Sequence, residues 1–214
     1  MIVRAYASGI FPMAANRFDP TIHWVAPEFR GILPLDALHV PRRLKRTVRQ
    51  GRFEIRCDTD FEGVVRACAA PRKDRGETWI NREIARVFCR LHRIGLTHSV
   101  EAWREDRLVG GLYGLALGGA FFGESMFSWE TDSSKVALVY LVAALRLGGF
   151  GLLDIQFITD HLNRFGAVEI PAADYLERLD AALTLPAVFY SDFSAGAFVS
   201  AVEEVLTQSR TQTS

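Results

Sequence analysis

Apolar residues recur with helical spacing in three segments of the first half of the chain. They cover residues 41–50, 58–69 and 81–94, and a glycine, Gly51 or Gly95, follows the first and the third. Such spacing places the apolar side chains on one face, and a glycine after the last turn is a common helix stop. The pattern predicts three amphipathic helices, with a short strand over FEIRC after the first.

In the second half of the chain the apolar pattern becomes that of strands. THSVEAW, LVGGLYGLALG and GAFFGESMF are separated by short turns at residues 105–106 and 118–119, which predicts three consecutive antiparallel strands. A helix over residues 133–147, a strand in GLLDIQFI and a short helix over 161–165 follow. The favoured N-caps are Asp58 or Thr59, Asn81, and Ser133 or Ser134. The predicted fold class is α+β, with a mixed, mostly antiparallel sheet and flanking helices.

Proline residues mark a division near the start of the chain. Residues 1–34 contain four prolines and indicate a short helix followed by turns, in a region too small to fold alone. The main domain is predicted over residues 35–206, and residues 207–214 form a flexible tail. We expect the small N-terminal region to cover part of a site on the main domain.

The composition is typical of a globular protein, with 49% hydrophobic and 23% charged residues. The sequence contains no run of eighteen apolar residues and no secretory signal pattern, so we expect a cytoplasmic protein without a membrane segment. The three cysteines are never in CxxC spacing, and the histidines lack metal-ligand spacing. Neither a disulfide framework nor a metal site is therefore expected.

The net charge of zero conceals a strong asymmetry. Residues 41–93 hold 15 Lys and Arg against 7 Asp and Glu, whereas residues 94–214 hold 7 against 15. The densest basic segment, PRRLKRTVRQGR, coincides with the first predicted helix and has no acidic partners along that helix. A solvated face is the ordinary alternative, but such a stripe favours polyanion binding. Its cations are Arg42, Arg43, Lys45, Arg46 and Arg49, with Arg52 just beyond.

Polar residues interrupt two of the apolar strands. Asp154 and Gln156 are two positions apart, so both lie on one face of a strand, within hydrogen-bond reach of each other. Glu124 lies in GAFFGESMF, where a carboxylate without a partner is costly to bury. A catalytic set and a buried structural network both fit these residues, since ion-pair networks also perturb carboxylates.

Two other motifs lack the context that their usual functions require. GESMF does not have the second glycine of the GxSxG nucleophile elbow, which argues against a serine hydrolase. RLGGFG at residues 146–151 matches the R-x-x-G-x-G loop of acetyl-CoA-dependent acetyltransferases. It follows a predicted helix and precedes a strand, whereas a phosphate-binding loop leads into a helix. A glycine helix stop is the simpler interpretation, and an acyl-CoA acetyltransferase remains a minor alternative.

Several motifs give the chain a resemblance to the leucyl/phenylalanyl-tRNA protein transferases over nearly its whole length: YASGIFPMA, HWVAP, TWINREI, HSVEAW, FFGESMFS and DIQFITDHLNRFGAVEIP. The resemblance implies a C-terminal domain similar to the GNAT acetyltransferases, with aminoacyl-tRNA in place of acetyl-CoA and no cofactor. It implies transfer of Leu or Phe, and less well Met, to the α-amino group of proteins with N-terminal Arg or Lys, which marks them for N-end rule degradation. A tRNA-acceptor-binding module without transfer activity is the alternative, and we expect a monomer.

The resemblance also implies roles for particular residues. Asp154, Gln156 and Glu124 correspond to the catalytic polar set, in which Gln156 accepts a hydrogen bond from the attacking amine and Asp154 orients it. Trp24 and Trp79 correspond to aromatic positions near the tRNA 3′ adenosine and the site entrance, and the basic helix corresponds to the tRNA-acceptor surface. The positions that line the pocket for the aminoacyl side chain are Leu112, Phe121, Leu138 and Leu141. The chain departs from the usual family residues at Phe88, Ile155 and Ala172.

Overall fold

The structure, a computed structural model, describes residues 1–71 and 76–207 of the chain. Its strands are β1 (Phe11–Met13), β2 (His23–Val25), β3 (Phe29–Ile32), β4 (Glu54–Cys57), β5 (Thr97–Arg104), β6 (Arg107–Leu117), β7 (Ala120–Ser128), β8 (Leu152–Gln156) and β9 (Val168–Pro171). Its helices are α1 (Ile2–Ala7), α2 (Arg42–Arg49), α3 (Phe61–Ala69), α4 (Arg82–Arg93), α5 (Ser133–Leu147), α6 (Asp160–Asn163), α7 (Ala172–Leu183) and α8 (Gly196–Thr207). The five helices that the sequence predicts after residue 40 are confirmed as α2 to α6, whereas α7 and α8 were not predicted.

Seven strands form one mixed sheet in the order β4-β5-β6-β7-β8-β3-β9. Its centre is the predicted antiparallel meander of β5, β6 and β7. The first turn of the meander has Glu105 and Asp106 at positive φ, as a two-residue type I′ turn requires. Within the described sheet, β7 and β8 run parallel and the other neighbours antiparallel. The predicted α+β class is confirmed, and the GNAT-like detail, with which this sheet is compatible, stays a prediction.

Helices cover both faces of the sheet and bury two apolar cores. Phe121 and Phe122 are consecutive in β7 and point to opposite faces, and each belongs to a different core. On the Phe121 face lie α2, α5 and α8, with α5 buried along most of its length. On the Phe122 face lie α1, α3, α4 and α7. Within the two described ranges, none of the helices is long and apolar enough to cross a membrane.

The helix N-caps agree only in part with the sequence prediction. Asn81 caps α4 as predicted, because its side chain accepts a hydrogen bond from the backbone N–H three residues on. Asp60 caps α3 in the same way. Asp132 precedes α5 in a left-handed conformation, with φ of 71°, and makes no side-chain cap hydrogen bond. The predicted caps at Asp58 or Thr59, and at Ser133 or Ser134, are therefore wrong.

The N-terminal region contributes a strand to the main sheet. β1 and β2 form a separate two-stranded ribbon after α1, but β3 lies inside the seven-stranded sheet between β8 and β9. The sheet therefore continues across the predicted boundary at residue 34, and the division into two regions stays a prediction. Of the predicted tail, Thr207 ends α8, and residues 208–214 lie outside the described ranges.

The parallel strands β7 and β8 separate part of the way along. Their pairing ends at Phe122 opposite Asp154. Beyond this point β7 continues to Ser128, whereas β8 ends at Gln156, which has a φ of 58°. A left-handed conformation is costly for a residue other than glycine, so neighbouring groups must hold it. A cavity lies in the wedge between the two strands.

Candidate active site

A buried ion pair lies where β7 and β8 separate. Arg30 of β3 is 1% exposed and Asp154 of β8 is fully buried. The Arg30 Nε donates to Asp154 Oδ1 at 2.9 Å, and Nη2 donates to Oδ2 at 2.7 Å, which makes the pair bidentate. The guanidinium also lies over the rings of Phe11 and Tyr175, and its Nη1 donates to the Gly9 carbonyl oxygen at 2.8 Å. Protein groups therefore compensate both charges of the pair.

Asp154 also fixes the backbone of Gln156. Its Oδ1 accepts a hydrogen bond from the Gln156 backbone N–H at 2.8 Å, and its Oδ2 accepts one from the Tyr175 hydroxyl at 2.7 Å. Burial, together with the negative charge of Asp154, raises the pKa of Tyr175, so its hydroxyl remains a donor. These contacts hold Gln156 at its positive φ. Asp154 thus contacts Gln156 through the backbone N–H, whereas the same-face spacing in the sequence predicts a contact with the side chain.

The side-chain amide of Gln156 lines the cavity. The residue is 8% exposed, and its Nε2 is buried without a hydrogen-bond partner among the described residues. A buried amide group without a partner carries a free-energy cost. A ligand with hydrogen-bonding groups in this part of the cavity would therefore be favoured.

Glu124 of β7 lies in the same wedge and is held by a tyrosine. Its Oε1 accepts a hydrogen bond from the hydroxyl of Tyr6, a fully buried residue of α1, at 2.7 Å. Desolvation is the main reason that the pKa of Glu124 is raised to about 8. The negative charge of Asp154 also raises this pKa, whereas the Tyr6 hydrogen bond and the positive charge of Arg30 lower it. At neutral pH the protonated form of the Glu124 carboxyl is thus favoured, and a cation placed beside it would favour the carboxylate.

The cavity has a volume of about 790 Å³, within the range of small-molecule sites. One part of its lining is apolar and comes from β6, α5 and β8. Four of the predicted binding residues contribute to the lining, namely Trp79, Leu112, Leu138 and Leu141. Glu124 and Gln156 supply polar groups within the wedge. A second polar group of residues comprises Ser128, Thr131, Asp132, Ser134, Lys135 and His161. The cavity therefore combines an apolar pocket with hydrogen-bonding and charged groups.

Two predicted binding residues are absent from the described lining of the cavity. Trp24 of β2 is 41% exposed and lies opposite Pro12, which does line the cavity. Phe121 is fully buried and packs against Phe150 and Phe189, with ring centroids 6.4 and 5.6 Å away. Phe121 therefore belongs to the apolar core that also includes Leu112, Leu138 and Leu141.

Phe88, where the resemblance implies a departure from the usual family residue, is also absent from the described lining of the cavity. Its ring is fully buried in α4 and packs edge-on against Tyr113, with centroids 5.3 Å apart. An additional hydroxyl at this position would face the core of the protein.

The sequence pattern does not identify three residues that contact the polar set: Tyr6, Arg30 and Tyr175. Tyr6 is 118 positions from Glu124, and Arg30 is 124 positions from Asp154. The available signals were a tyrosine in YASGIFPMA and an arginine between apolar residues in FRGI. A buried carboxylate does imply a partner, but the sequence contains 22 arginines and does not indicate which one reaches it.

The predicted tRNA-binding cations lie on α2 or at its edge, and acidic residues from other elements contact two of them. Arg43 Nε is 3.9 Å from Asp132 at the cavity, and Arg49 makes a bidentate contact with Glu203 of α8, with Nη2 at 2.9 Å. The other three cations have no ion pair within the described part of the chain: Arg42, Lys45 and Arg46. The stripe is therefore partly neutralised by residues distant in sequence.

The structure tests the context of the RLGGFG motif. Its arginine, Arg146, belongs to the last turn of α5, and the following glycines lead into β8. The loop does not begin a helix, so it lacks the N–H groups at a helix N-terminus that hold a pyrophosphate. The described residues also contain no group of three or more His, Cys, Asp or Glu side chains that could hold a metal ion.

Comparison with known proteins gives the class of enzyme. The model of the leucyl/phenylalanyl-tRNA protein transferases matches residues 32–180, and the model of their N-terminal domain matches residues 1–28. An aminoacyltransferase is thus the class that the sequence defines. The chain belongs to the leucyl/phenylalanyl-tRNA protein transferase family.

Curated relatives support the same assignment. A leucyl/phenylalanyl-tRNA–protein transferase of Paramagnetospirillum magneticum is 62% identical over 189 residues, covering 88% of this chain and 90% of the relative. A protein of the same name from Phenylobacterium zucineum is 58% identical, over 89% of this chain and 86% of the relative. Another, from Caulobacter vibrioides, is 55% identical, over 92% of this chain and 90% of the relative. The similarity thus extends over most of both proteins in each comparison.

Proposed function

We propose that the protein transfers Leu or Phe, and less efficiently Met, from aminoacyl-tRNA to the α-amino group of proteins with N-terminal Arg or Lys. The product would be marked for N-end rule degradation, and we expect a monomer acting in the cytoplasm. The observation that carries the proposal is the cavity in the wedge, where an apolar pocket adjoins the Gln156 amide and the Glu124 carboxyl. The names of the curated relatives, which specify leucyl- and phenylalanyl-tRNA, support the choice of donor.

The apolar part of the cavity accounts for the proposed choice of amino acid. Leu112, Leu138 and Leu141 lie on its lining and offer no partner to a charged or polar side chain. A polar aminoacyl group would lose its hydration there without compensation, whereas Leu, Phe and Met gain from burial. A pocket that accepts both Leu and Phe cannot fit either tightly, so partial acceptance of Met is expected.

The reaction would be aminolysis of the aminoacyl ester by the N-terminal amine. The new amide bond forms as the ester C–O bond breaks, and the proton lost by the amine balances the proton gained by the released tRNA hydroxyl. An α-amino group has a pKa of about 7.7 to 8.0, so a useful fraction is already neutral at cellular pH. The Gln156 amide oxygen would accept a hydrogen bond from the attacking N–H, and positioning would supply most of the acceleration.

Glu124 would bind the cationic N-terminus of the acceptor protein. Its carboxyl group is partly buried and has its pKa raised to about 8 by desolvation, so a cation beside it would favour ionisation. The bound Tyr6 hydroxyl would keep the carboxylate in position. An N-terminal Arg or Lys places a second cation near the same group, which an uncharged first residue does not.

The proposed tRNA surface is the basic helix α2. Arg42, Lys45 and Arg46 are the cations there without an ion pair among the described residues, and Arg43 lies beside the cavity residue Asp132. A tRNA acceptor end that follows α2 would therefore arrive at the cavity. Phosphate contacts of this kind supply affinity without reading sequence.

One experiment tests the proposal directly. The protein is incubated with labelled Leu-tRNA and a peptide that begins with Arg, and the same peptide beginning with Ala serves as the control. Label is expected on the Arg peptide only, and Gln156→Ala should abolish most transfer while tRNA binding persists. Tight tRNA binding by the wild type without transfer to any peptide would identify the alternative, an acceptor-binding module. Absence of both binding and transfer would reject the proposal.

A further inference from the structure

The loop between β7 and α5, residues 129–132, connects the cavity with the basic side of the molecule. Thr131 and Asp132 of this loop line the cavity, as does Ser128 immediately before it. On its other side, Asp132 Oδ2 is 3.9 Å from Arg43 Nε on α2. A strand of nucleic acid that follows α2 to the cavity would pass along this loop.

The same loop carries an exposed aromatic ring. Trp129 is 60% exposed and lies directly after β7, whose last residue, Ser128, is also exposed. Its ring packs edge-on against the buried Phe127, with centroids 4.9 Å apart and an interplanar angle of 62°. Its backbone N–H donates to the Val109 carbonyl oxygen at 2.8 Å. These contacts hold the residue in place while leaving most of its surface uncovered.

Cationic side chains converge on the segment that holds Trp129. Arg104 Nη1 is 2.9 Å from Glu130 Oε2, and Arg52 Nη2 is 3.6 Å from the same oxygen. Both arginines remain partly exposed, at 44% and 41% of their side-chain surface. Arg104 Nε also lies 4.0 Å from Glu105 Oε1, so the two guanidinium groups are paired with two carboxylates and keep partly exposed N–H donors near the exposed ring. An aromatic face next to positive charge is the combination by which proteins bind unpaired nucleotides.

We propose that Trp129 stacks on the unpaired nucleotide that precedes the terminal adenosine of the aminoacyl-tRNA. The inference rests on the proposed function, because it requires the tRNA end to run from α2 to the cavity. The terminal adenosine and its aminoacyl group occupy the cavity, and the preceding nucleotide then lies at the adjoining loop. Stacking on Trp129 orders the single-stranded end and directs the ester into the wedge.

The test compares two donors in transfer of Phe to an Arg-starting peptide. One donor is Phe-tRNA, and the other is 3′-O-phenylalanyl-adenosine, which has no preceding nucleotide. Trp129→Ala is expected to lower kcat/KM with Phe-tRNA by roughly 5- to 150-fold, in line with the removal of one stacked base. With phenylalanyl-adenosine kcat/KM should stay unchanged, and Trp129→Phe should restore most of the activity with Phe-tRNA. Ile94→Ala, which truncates another exposed apolar side chain at the end of α4, serves as the matched control.

A modified tRNA makes the test specific for stacking. A Phe-tRNA that lacks the base before the terminal adenosine should react as slowly with the wild type as with Trp129→Ala, because both changes remove the same interaction. If the missing base and Trp129→Ala lower kcat/KM additively, the inference is overturned. It is also overturned if Trp129→Ala lowers kcat/KM equally with Phe-tRNA and with phenylalanyl-adenosine, because Trp129 would then act on the group bound in the cavity. An unchanged kcat/KM of Trp129→Ala with Phe-tRNA would also overturn the inference. If the wild type transfers Phe from neither donor, the proposed function itself fails.

Discussion

Arg30 and Asp154 lie 124 positions apart in the chain and form a buried bidentate ion pair behind the cavity. The pair places a β3 residue and a β8 residue in fixed register, and Asp154 in turn holds the backbone of Gln156. Both oxygens of the Asp154 carboxylate therefore already accept hydrogen bonds from protein groups. In the proposed reaction its contribution would be to position Gln156, and its contribution to the fold is to neutralise Arg30.

The first prediction concerns the cost of breaking this pair. Asp154→Asn leaves the Arg30 charge buried without a counter-ion, so the free energy of unfolding should fall by about 3 to 5 kcal/mol. Urea unfolding followed by circular dichroism measures the change. Glu83→Gln, which breaks the exposed pair with Arg86, is the control and should have little effect. An equally small effect of both variants would show that the Arg30–Asp154 charges are not needed for stability.

The second prediction concerns pH and Glu124. Its pKa is raised from 4.5 to about 8 in the folded protein, so the folded state holds a proton that the unfolded state releases. Stability from this group is complete below about pH 4.5 and is lost as the pH rises through about 8. Urea unfolding at a series of pH values should therefore show a decline over this range, and Glu124→Gln should remove that part of the decline.

Tyr6 provides a second variant for the same titration. Its hydroxyl hydrogen bond lowers the pKa of Glu124, so Tyr6→Phe should move the pH-dependent loss of stability to higher pH. The comparison of Tyr6→Phe with Tyr6→Phe/Glu124→Gln separates this shift from any general loss of packing in α1. A shift in the opposite direction would contradict the assigned role of the hydroxyl.

The third prediction concerns the apolar pocket. Leu141 lines the cavity, so Leu141→Ala should enlarge it and favour Phe over Leu by about 1 to 3 kcal/mol in kcat/KM. Phe121 packs against Phe150 and Phe189, and Phe121→Ala should reduce stability by about 3 to 5 kcal/mol through the space it leaves. Competition between Leu-tRNA and Phe-tRNA measures the preference. If Leu141→Ala leaves it unchanged, the aminoacyl side chain binds elsewhere.

The fourth prediction concerns the basic helix. Arg42→Ala/Arg46→Ala should weaken Phe-tRNA binding and reduce the log-log salt slope by about 0.9 for each phosphate that the variant no longer neutralises. Arg49 already pairs with Glu203, so Arg49→Ala should change the slope less. Any tRNA charged with Leu or Phe should be affected alike, because phosphate contacts carry no sequence information. Binding measured at several salt concentrations checks this, and a wild-type slope in the double variant would place the tRNA on another surface.

The local elements of this protein follow from its sequence. The apolar spacing of residues 81–94 and the cap at Asn81 specify α4, and the two-residue turn at 105–106 specifies the hairpin of β5 and β6. Asp154, Gln156 and Glu124 also stand out, because a polar group within an apolar strand needs a partner or a ligand. Such features depend on residues that are close along the chain, and spacing alone reveals them.

The sequence by itself therefore determined the helices from α2 to α6, the central meander and three polar residues of the candidate site. Only the tertiary structure decided that Arg30 pairs with Asp154 and Tyr6 with Glu124, that Glu203 meets Arg49, and that β7 and β8 diverge around a cavity. Contacts between residues far apart along the chain depend on strand order and on how helices pack across the sheet. Local spacing does not encode that order, because many arginines and tyrosines are chemically able to fill the same role.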